Sequence, residues 1–449
     1  MALPYVGEGA VFDVAWSSGS MKSTPPGADP PATAAAAASP APTSAVPPWL
    51  TPQLLTAAFR DEDEACGQVT TIRVRPATGP NENYLSELFR VHAHLGKGEV
   101  RRLIVKAVPA GEAQLAMVEA CGVFARETRM LKETLPHLER QLAAGLSHRP
   151  AEHLQLGPRV IATCSNDALL MEDLAVRGYS NVSRREGLDL PHSLLCVRLL
   201  ARLHAASVVV HGRGGRWARD LEAYGGGWSG PGMRPVFERV YTTSLQTLAT
   251  AARAWPRLGE QVAVRLERGV DALPQRALEA ASLRDGDFAV LCHGDAWSNN
   301  IMFAYDEDTA QVRSALLVDF QLVTWASPAV DLHYFLALGA APRVRQQHAA
   351  RLVRAYHAEL VASLGALGWL GAVPALAALQ RDLRARQHWA LFSSCLIPIR
   401  YVEASAVDMD AECMMTRDHP VRLRVLNDPA CRAATEDALL EFVEKGLFD

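Results

Sequence analysis

The densest chemistry in the chain lies in FAVLCHGDAWSNNIMFAYDEDTAQVRSALLVDFQ, residues 288–321. A short strand over Phe288–Leu291 delivers His293-Gly294-Asp295 into a loop, and Asn300 follows Asp295 by five positions. Strand IMFAY, a turn at DEDTA and strand VRSALLV then deliver Asp319. Two acidic groups and a carboxamide oxygen are thereby expected at the ends of adjacent strands. Oxygen-only donors of this kind suit Mg²⁺, a hard ion that keeps several waters and is completed by substrate phosphates. Phosphoryl transfer needs that arrangement: a metal on the phosphates, and a carboxylate that accepts the proton of the attacking hydroxyl. Asp306, Glu307 and Asp308 read as ordinary turn formers between strands. His293, under the loop, is assigned to holding backbone rather than to moving protons.

The elements around this segment divide into a sheet-rich first part and a larger helical part. A helix LTPQLLTAAFR is predicted near residue 50, with Thr51 as N-cap and Pro52 at its first position. TTIRVRPA is β-rich, and LFRVHAHL alternates Phe89, Val91, Ala93 and Leu95 against polar neighbours with a period of two. GKGE offers a hairpin turn into VRRLIVKAV. The pattern turns helical after Pro109, and PRVIATCSNDALLMEDL gives two further strands around SND. Helix dominates from Pro191 onward, LPHSLLCVRLLARLHAASVVV being its clearest member. The fold class expected is α+β, two-lobed, with a cleft between the lobes, where cofactor sites are favoured. The boundaries expected are 1–48 for an Ala/Pro-rich disordered tail, 49–172 for the first lobe and 173–449 for the second.

Composition narrows the function classes. The 449 residues carry 45 Lys plus Arg against 49 Asp plus Glu, a formal charge of −4. No cationic excess supports a nucleic-acid coat or a polybasic membrane binder. The eight cysteines are scattered without a CxxC pair, which argues against a zinc knuckle, a redox dithiol or a disulfide framework. The N-terminus lacks the form of a signal peptide. Residues 360–379 are uncharged but rich in Gly and Ala, so two helices joined by a GALGW turn are expected there rather than a membrane span. A cytoplasmic monomer without nucleic-acid or membrane partners is the resulting expectation.

HGDxxxxN followed by an apolar-strand Asp resembles the signature shared by aminoglycoside phosphotransferases, choline kinases and related small-molecule kinases. More narrowly, HGDAWSNNIMF, LLVDFQ and SPAVDLHYFL resemble the ecdysteroid kinase-like (CHK kinase-like) family, from about Gln53 to the C-terminus. The resemblance implies a two-lobed protein-kinase-like fold, ATP and Mg²⁺ as cofactors, and a small-molecule alcohol as acceptor. An ecdysteroid or another apolar polyol is the acceptor class it points to. Choline, ethanolamine and aminoglycoside acceptors are the alternatives, and a catalytically silent binding protein is the rival from another class.

On the same resemblance Asp295 would be the catalytic base, and Asn300 and Asp319 the magnesium ligands. Asp331 would hold the catalytic loop, though it also stands where a helix N-cap is expected after Ser327-Pro328. The template asks for a lysine–glutamate pair in the first lobe. Lys106 lies in the apolar strand LIVKAVP, where a cation is costly without a partner. Glu127 on the following helix is favoured by the resemblance, and Glu119 is the alternative. TGPNENYLSELFRV, an ordinary turn by itself, becomes the phosphate-covering loop, with Asn83 and Ser86 as contacts. LLMEDLAVRGY takes the form of the hinge, where Glu172 and Leu174 would meet adenine through backbone groups. Trp297, Trp325, Tyr334 and Phe335 would suit an apolar acceptor, or serve as core.

Overall fold

The computed structural model describes residues 47–77, 85–164, 168–402, 416–417 and 419–448. The expected tail therefore lies outside the described residues up to position 46, as do Asn83 of the phosphate loop and the acidic run 403–412.

The first described helix, α1 (Pro52–Glu62), begins as its sequence dictates. Thr51 Oγ1 accepts from Leu54 N–H at 3.2 Å, and Pro52 fills the first turn, where no amide partner is needed. Thr51→Ala should lower stability by about 1 kcal/mol, read as a shifted denaturant midpoint at unchanged slope.

Five strands follow: β1 (Val69–Pro76), β2 (Glu87–Leu95), β3 (Val100–Ala107), β4 (Val160–Cys164) and β5 (Ala168–Glu172). They form one antiparallel sheet in the order β1-β2-β3-β5-β4. The period of two read in LFRVHAHL is realised: Phe89, Val91, Ala93 and Leu95 are buried. They join Leu103, Val105 and Leu170 against Leu55 and Phe59 of α1 in a small core. The alternate residues face the other way. Leu88 pairs with Lys106, which pairs with Leu169, and Ile104 pairs with Met171. The lysine is thus carried on the sheet face opposite α1.

Between β3 and β4 run α2 (Glu112–Cys121), α3 (Val123–Arg129), a π-turn over 130–134 and α4 (Leu135–Gly145). The helical body contains α5 (Leu190–Gly212), α6 (Gly215–Glu222), α7 (Arg234–Ala252), α8 (Gly259–Gly269) and α9 (Leu273–Ala281). After the β insertion come α10 (Ala329–Tyr334), α11 (Pro342–Ala366), α12 (Leu376–Ala385) and α13 (Gln387–Cys395). Described last are α14 (Pro420–Leu426) and α15 (Pro429–Glu444).

The hydrophobic partition does not follow the expected boundary at 172. Val118, Phe124, Leu131 and Leu138 from α2–α4 belong to one continuous core with α5, α7, α11 and α13, while the sheet face under α1 keeps its own. The segment 360–379 is the end of α11, a turn and the start of α12, as expected. Helix α5 is long and apolar enough to cross a membrane, but it is enclosed by the body as a core helix.

The β insertion departs in detail from the sequence reading. The strand before the HGD loop is β6 (Val290–Cys292), and β7 (Ile301–Tyr305) pairs with β8 (Val312–Leu317) as expected. However, β6 pairs not with these but with β9 (Thr324–Ala326), a three-residue strand too short to leave a periodic signal. Asp295 and Asp319 therefore follow strands of two separate ribbons, and side chains rather than a shared ladder join them.

Candidate active site

The HGD loop is built on backbone groups gathered by one carboxylate. Asp331, fully buried in the first turn of α10, accepts from His293 N–H at 2.7 Å and Gly294 N–H at 2.8 Å. It also meets His204 Nε2 of α5 at 3.0 Å, and Tyr356 O–H of α11 lies 2.8 Å from His204 Nδ1. Burial raises the Asp331 carboxyl, but the His204 contact and the amides outweigh it and hold it below the ordinary value. Asp331 is not an N-cap; Ser327 Oγ accepts from Ala329 N–H at 3.1 Å in that role.

Gly294 has φ +80°, and a Cβ there would fall 2.0 Å from Leu322 O, so the position admits only glycine. His293 is buried, and desolvation lowers its pKa. As a neutral ring it donates from Nε2 to Val318 O at 3.1 Å and accepts at Nδ1 from Asp295 N–H at 3.3 Å. This tautomer is assigned from its partners. The ring is a bracket between the two ribbons, as expected of it.

Asp295 is half-buried and held from two sides. Asn300 Nδ2 donates to its Oδ2 at 2.8 Å and to its carbonyl at 3.0 Å, and Tyr334 O–H donates to the carboxyl as well. Burial pushes its pKa up to about 8; these hydrogen bonds pull it down, while Asp319 adds to the rise.

Lys106 reaches across from β3. Its Nζ lies 2.7 Å from Glu127 Oε2 and 3.0 Å from Asp319 Oδ1, with lysine and glutamate both buried. Burial alone would lower the ammonium's pKa, but Asp319 and Glu127 more than compensate and hold it above the ordinary value. Burial likewise pushes the Glu127 carboxyl up against the pull of Lys106. Glu119 is exposed on α2, which decides between the two glutamates.

Asp319 has φ +64°, a left-handed backbone that costs a side-chain-bearing residue about 1–3 kcal/mol. Two residues of α3 secure the turn behind it. Phe320 N–H donates to Glu127 Oε1 at 3.2 Å, and Arg126 Nη1 donates to Gln321 O at 3.1 Å.

A cavity of about 560 Å³ brings Lys106, Glu127, Asn300 and Asp319 to one wall. Leu88, Ile104, Met171, Met302 and Val318 supply its apolar lining, and Glu172 and Leu174 border it. The Glu172 carboxylate is engaged by Gln155 at 2.9 Å and Arg177 at 3.3 Å, leaving backbone as the means by which this segment can read a base. Asp295 does not line the cavity and is one hydrogen bond behind Asn300. Ser86 is buried and does not line it either. Of the four aromatics, Trp325, Tyr334 and Phe335 are buried, Trp297 is half-buried, and none lines the cavity.

Sequence reading missed Arg126, His204, the Tyr334 contact to Asp295, and Arg184 and Arg400 of the cavity wall. Only His204 left a trace, as a lone titratable ring within the apolar run LLARLHAASVVV.

A buried lysine shared by a helical glutamate and a strand-end aspartate, facing an HGD loop across a cleft, defines a small-molecule phosphotransferase of kinase-like fold. The chain belongs to the ecdysteroid kinase-like family, whose model matches residues 80–369, more than half of its length. Solved structures show a distant likeness. A GDP complex of wild-type aminoglycoside 2'-phosphotransferase-IIIa is 12% identical with a TM-score of 0.37, covering 86% of this chain and 99% of that one. Glucosamine kinase is 15% identical with a TM-score of 0.26, covering 87% and 97%. Comparison with curated proteins returned no match.

Proposed function

We propose that the chain transfers the γ-phosphoryl group of ATP, taken up with Mg²⁺, to a hydroxyl of a small alcohol of the steroid-like or apolar polyol class. The observation that carries the nucleotide half is the Lys106 ammonium, fixed between Glu127 and Asp319 at the cavity wall. A charge so placed neutralises phosphate oxygens without reorganising during transfer. The acceptor class rests on family membership.

The donor set fits magnesium. Asn300 spends its Nδ2 on Asp295, which leaves its carbonyl oxygen as a ligand, and Asp319 adds carboxylate oxygen at the cavity surface. When bound, the ion would supply charge neutralisation on the phosphates. The chain's own residues do the rest. Asp295 orients the alcohol and takes its proton as the oxygen–phosphorus bond forms and ADP leaves, with Tyr334 and Asn300 fixing the carboxylate's direction.

Asp319→Ala should weaken Mg-ATP binding at least tenfold by calorimetry, about 1.4 kcal/mol, and a trace like that of the unmodified protein would count against its role. The decisive experiment is transfer from γ-labelled ATP to panels of ecdysteroids, sugars, choline and aminoglycosides. Labelled product in no panel, from protein that binds Mg-ATP, would sink the alcohol-kinase reading.

A further inference from the structure

The cavity wall carries more cation than the nucleotide site requires. Besides Lys106 it includes Arg184, Arg185 and Arg400, with Tyr401 and Val402 beside them. Arg185 is paired with Asp428 at 2.6 Å. The other two bind only neutral backbone. Arg400, 1% exposed, donates to Arg184 O at 3.1 Å, Ala340 O at 3.2 Å and Arg185 O at 3.5 Å. Arg184 donates to Val402 O. Neither forms an ion pair with a carboxylate among the described residues, although a buried guanidinium is costly without one.

The backbone makes room for this arrangement. Gly187 has φ +71°, and a Cβ there would fall 2.1 Å from Arg400 Nη2. Arg400 is accordingly the strut that fixes the 184–185 run. Arg184, half-buried with one carbonyl partner, keeps most of its five N–H donors for the cavity. The carboxylates on the same wall are already committed: Glu127 and Asp319 to Lys106, Glu172 to Arg177, and Asp173 to Arg90 at 2.8 Å.

We infer that the acceptor alcohol bears an anionic group, a sulfate, carboxylate or phosphate, which seats on Arg184 while its hydroxyl faces Asp295. This rests on the kinase reading above and narrows its acceptor. Cationic acceptors of the choline or aminoglycoside type would meet repulsion at this wall. A planar guanidinium also offers the forked donors that oxyanions take.

The test uses matched probes on the full chain with ADP and Mg²⁺ present. A hydroxysteroid, a sugar and a long-chain alcohol are each compared by calorimetry with the same alcohol carrying a sulfate or carboxylate. In at least one pair the anionic member should bind tenfold or more tightly. Arg184→Met should erase that preference while changing the ADP dissociation constant less than twofold. If no pair favours its anionic member, or if choline binds more tightly than all of them, the inference is overturned. If Arg184→Met weakens ADP in parallel, the arginine serves the nucleotide phosphates and the inference falls. Failure of the unmodified chain to bind ADP at all would instead sink the kinase reading.

Discussion

Asp295→Asn should cut kcat by about 10³-fold and, in metal-free protein, raise the melting temperature. The two effects share one origin. The carboxylate that would take the alcohol's proton is also one the fold disfavours, because burial and Asp319 push its pKa up to about 8. General-base loss of this kind costs about 10²–10⁴ in rate. For stability, a carboxyl with a raised folded pKa is protonated in both states below its unfolded value, so the folded protein bears no penalty at pH 4. The penalty grows as pH rises and is complete above pH 8. The gain from Asn should therefore be absent at pH 4 and largest near pH 8.5. One lost acceptor offsets part of it, so about 2 kcal/mol is expected, or roughly 2 °C for a body of this size. Calorimetric melts in a chelator read it directly, and an equal shift at both pH values would refute the assigned cause.

The second large effect is expected at Asp331, which touches no reactant. Asp331→Ala would strand two buried amides and the His204 ring, all of which bond its carboxylate. Removing one partner from such a buried set costs about 3–5 kcal/mol. Because that variant can fail to fold, Asp331→Asn is its companion: it keeps one acceptor oxygen for the loop. Its kcat should fall about 10–100-fold with the KM for ATP nearly unchanged, since the loop rather than the Lys106 site loosens. A fall in ATP affinity equal to the fall in kcat would place Asp331 elsewhere in the mechanism.

What the sequence made legible was local. A strand with period two announces its buried face at once, and Phe89 to Leu95 needed nothing else. Lys106 stood out because an ammonium in LIVKAVP must find a counter-charge, and the HGD, Asn and Asp spacing put three ligands within one stretch of 25 residues, 295–319. What stayed hidden depends on chain segments far apart in sequence. Arg126 meets Gln321 across 195 residues, and His204 meets Asp331 across 127. Neither contact leaves a periodic mark. Strand β9 was invisible for another reason: three residues can be extended by their partner alone. The Arg400 strut bonds carbonyls, which every residue possesses, so no side-chain pattern could reveal it.

The two separate cores have a mechanical consequence. Lys106 travels with the sheet, whereas Glu127 sits on a helix whose apolar side is merged with the large body. A rocking of the sheet about the hinge would not carry that helix along. The 2.7 Å contact between them would part first, acting as a latch that reports whether the jaws of the cleft are shut.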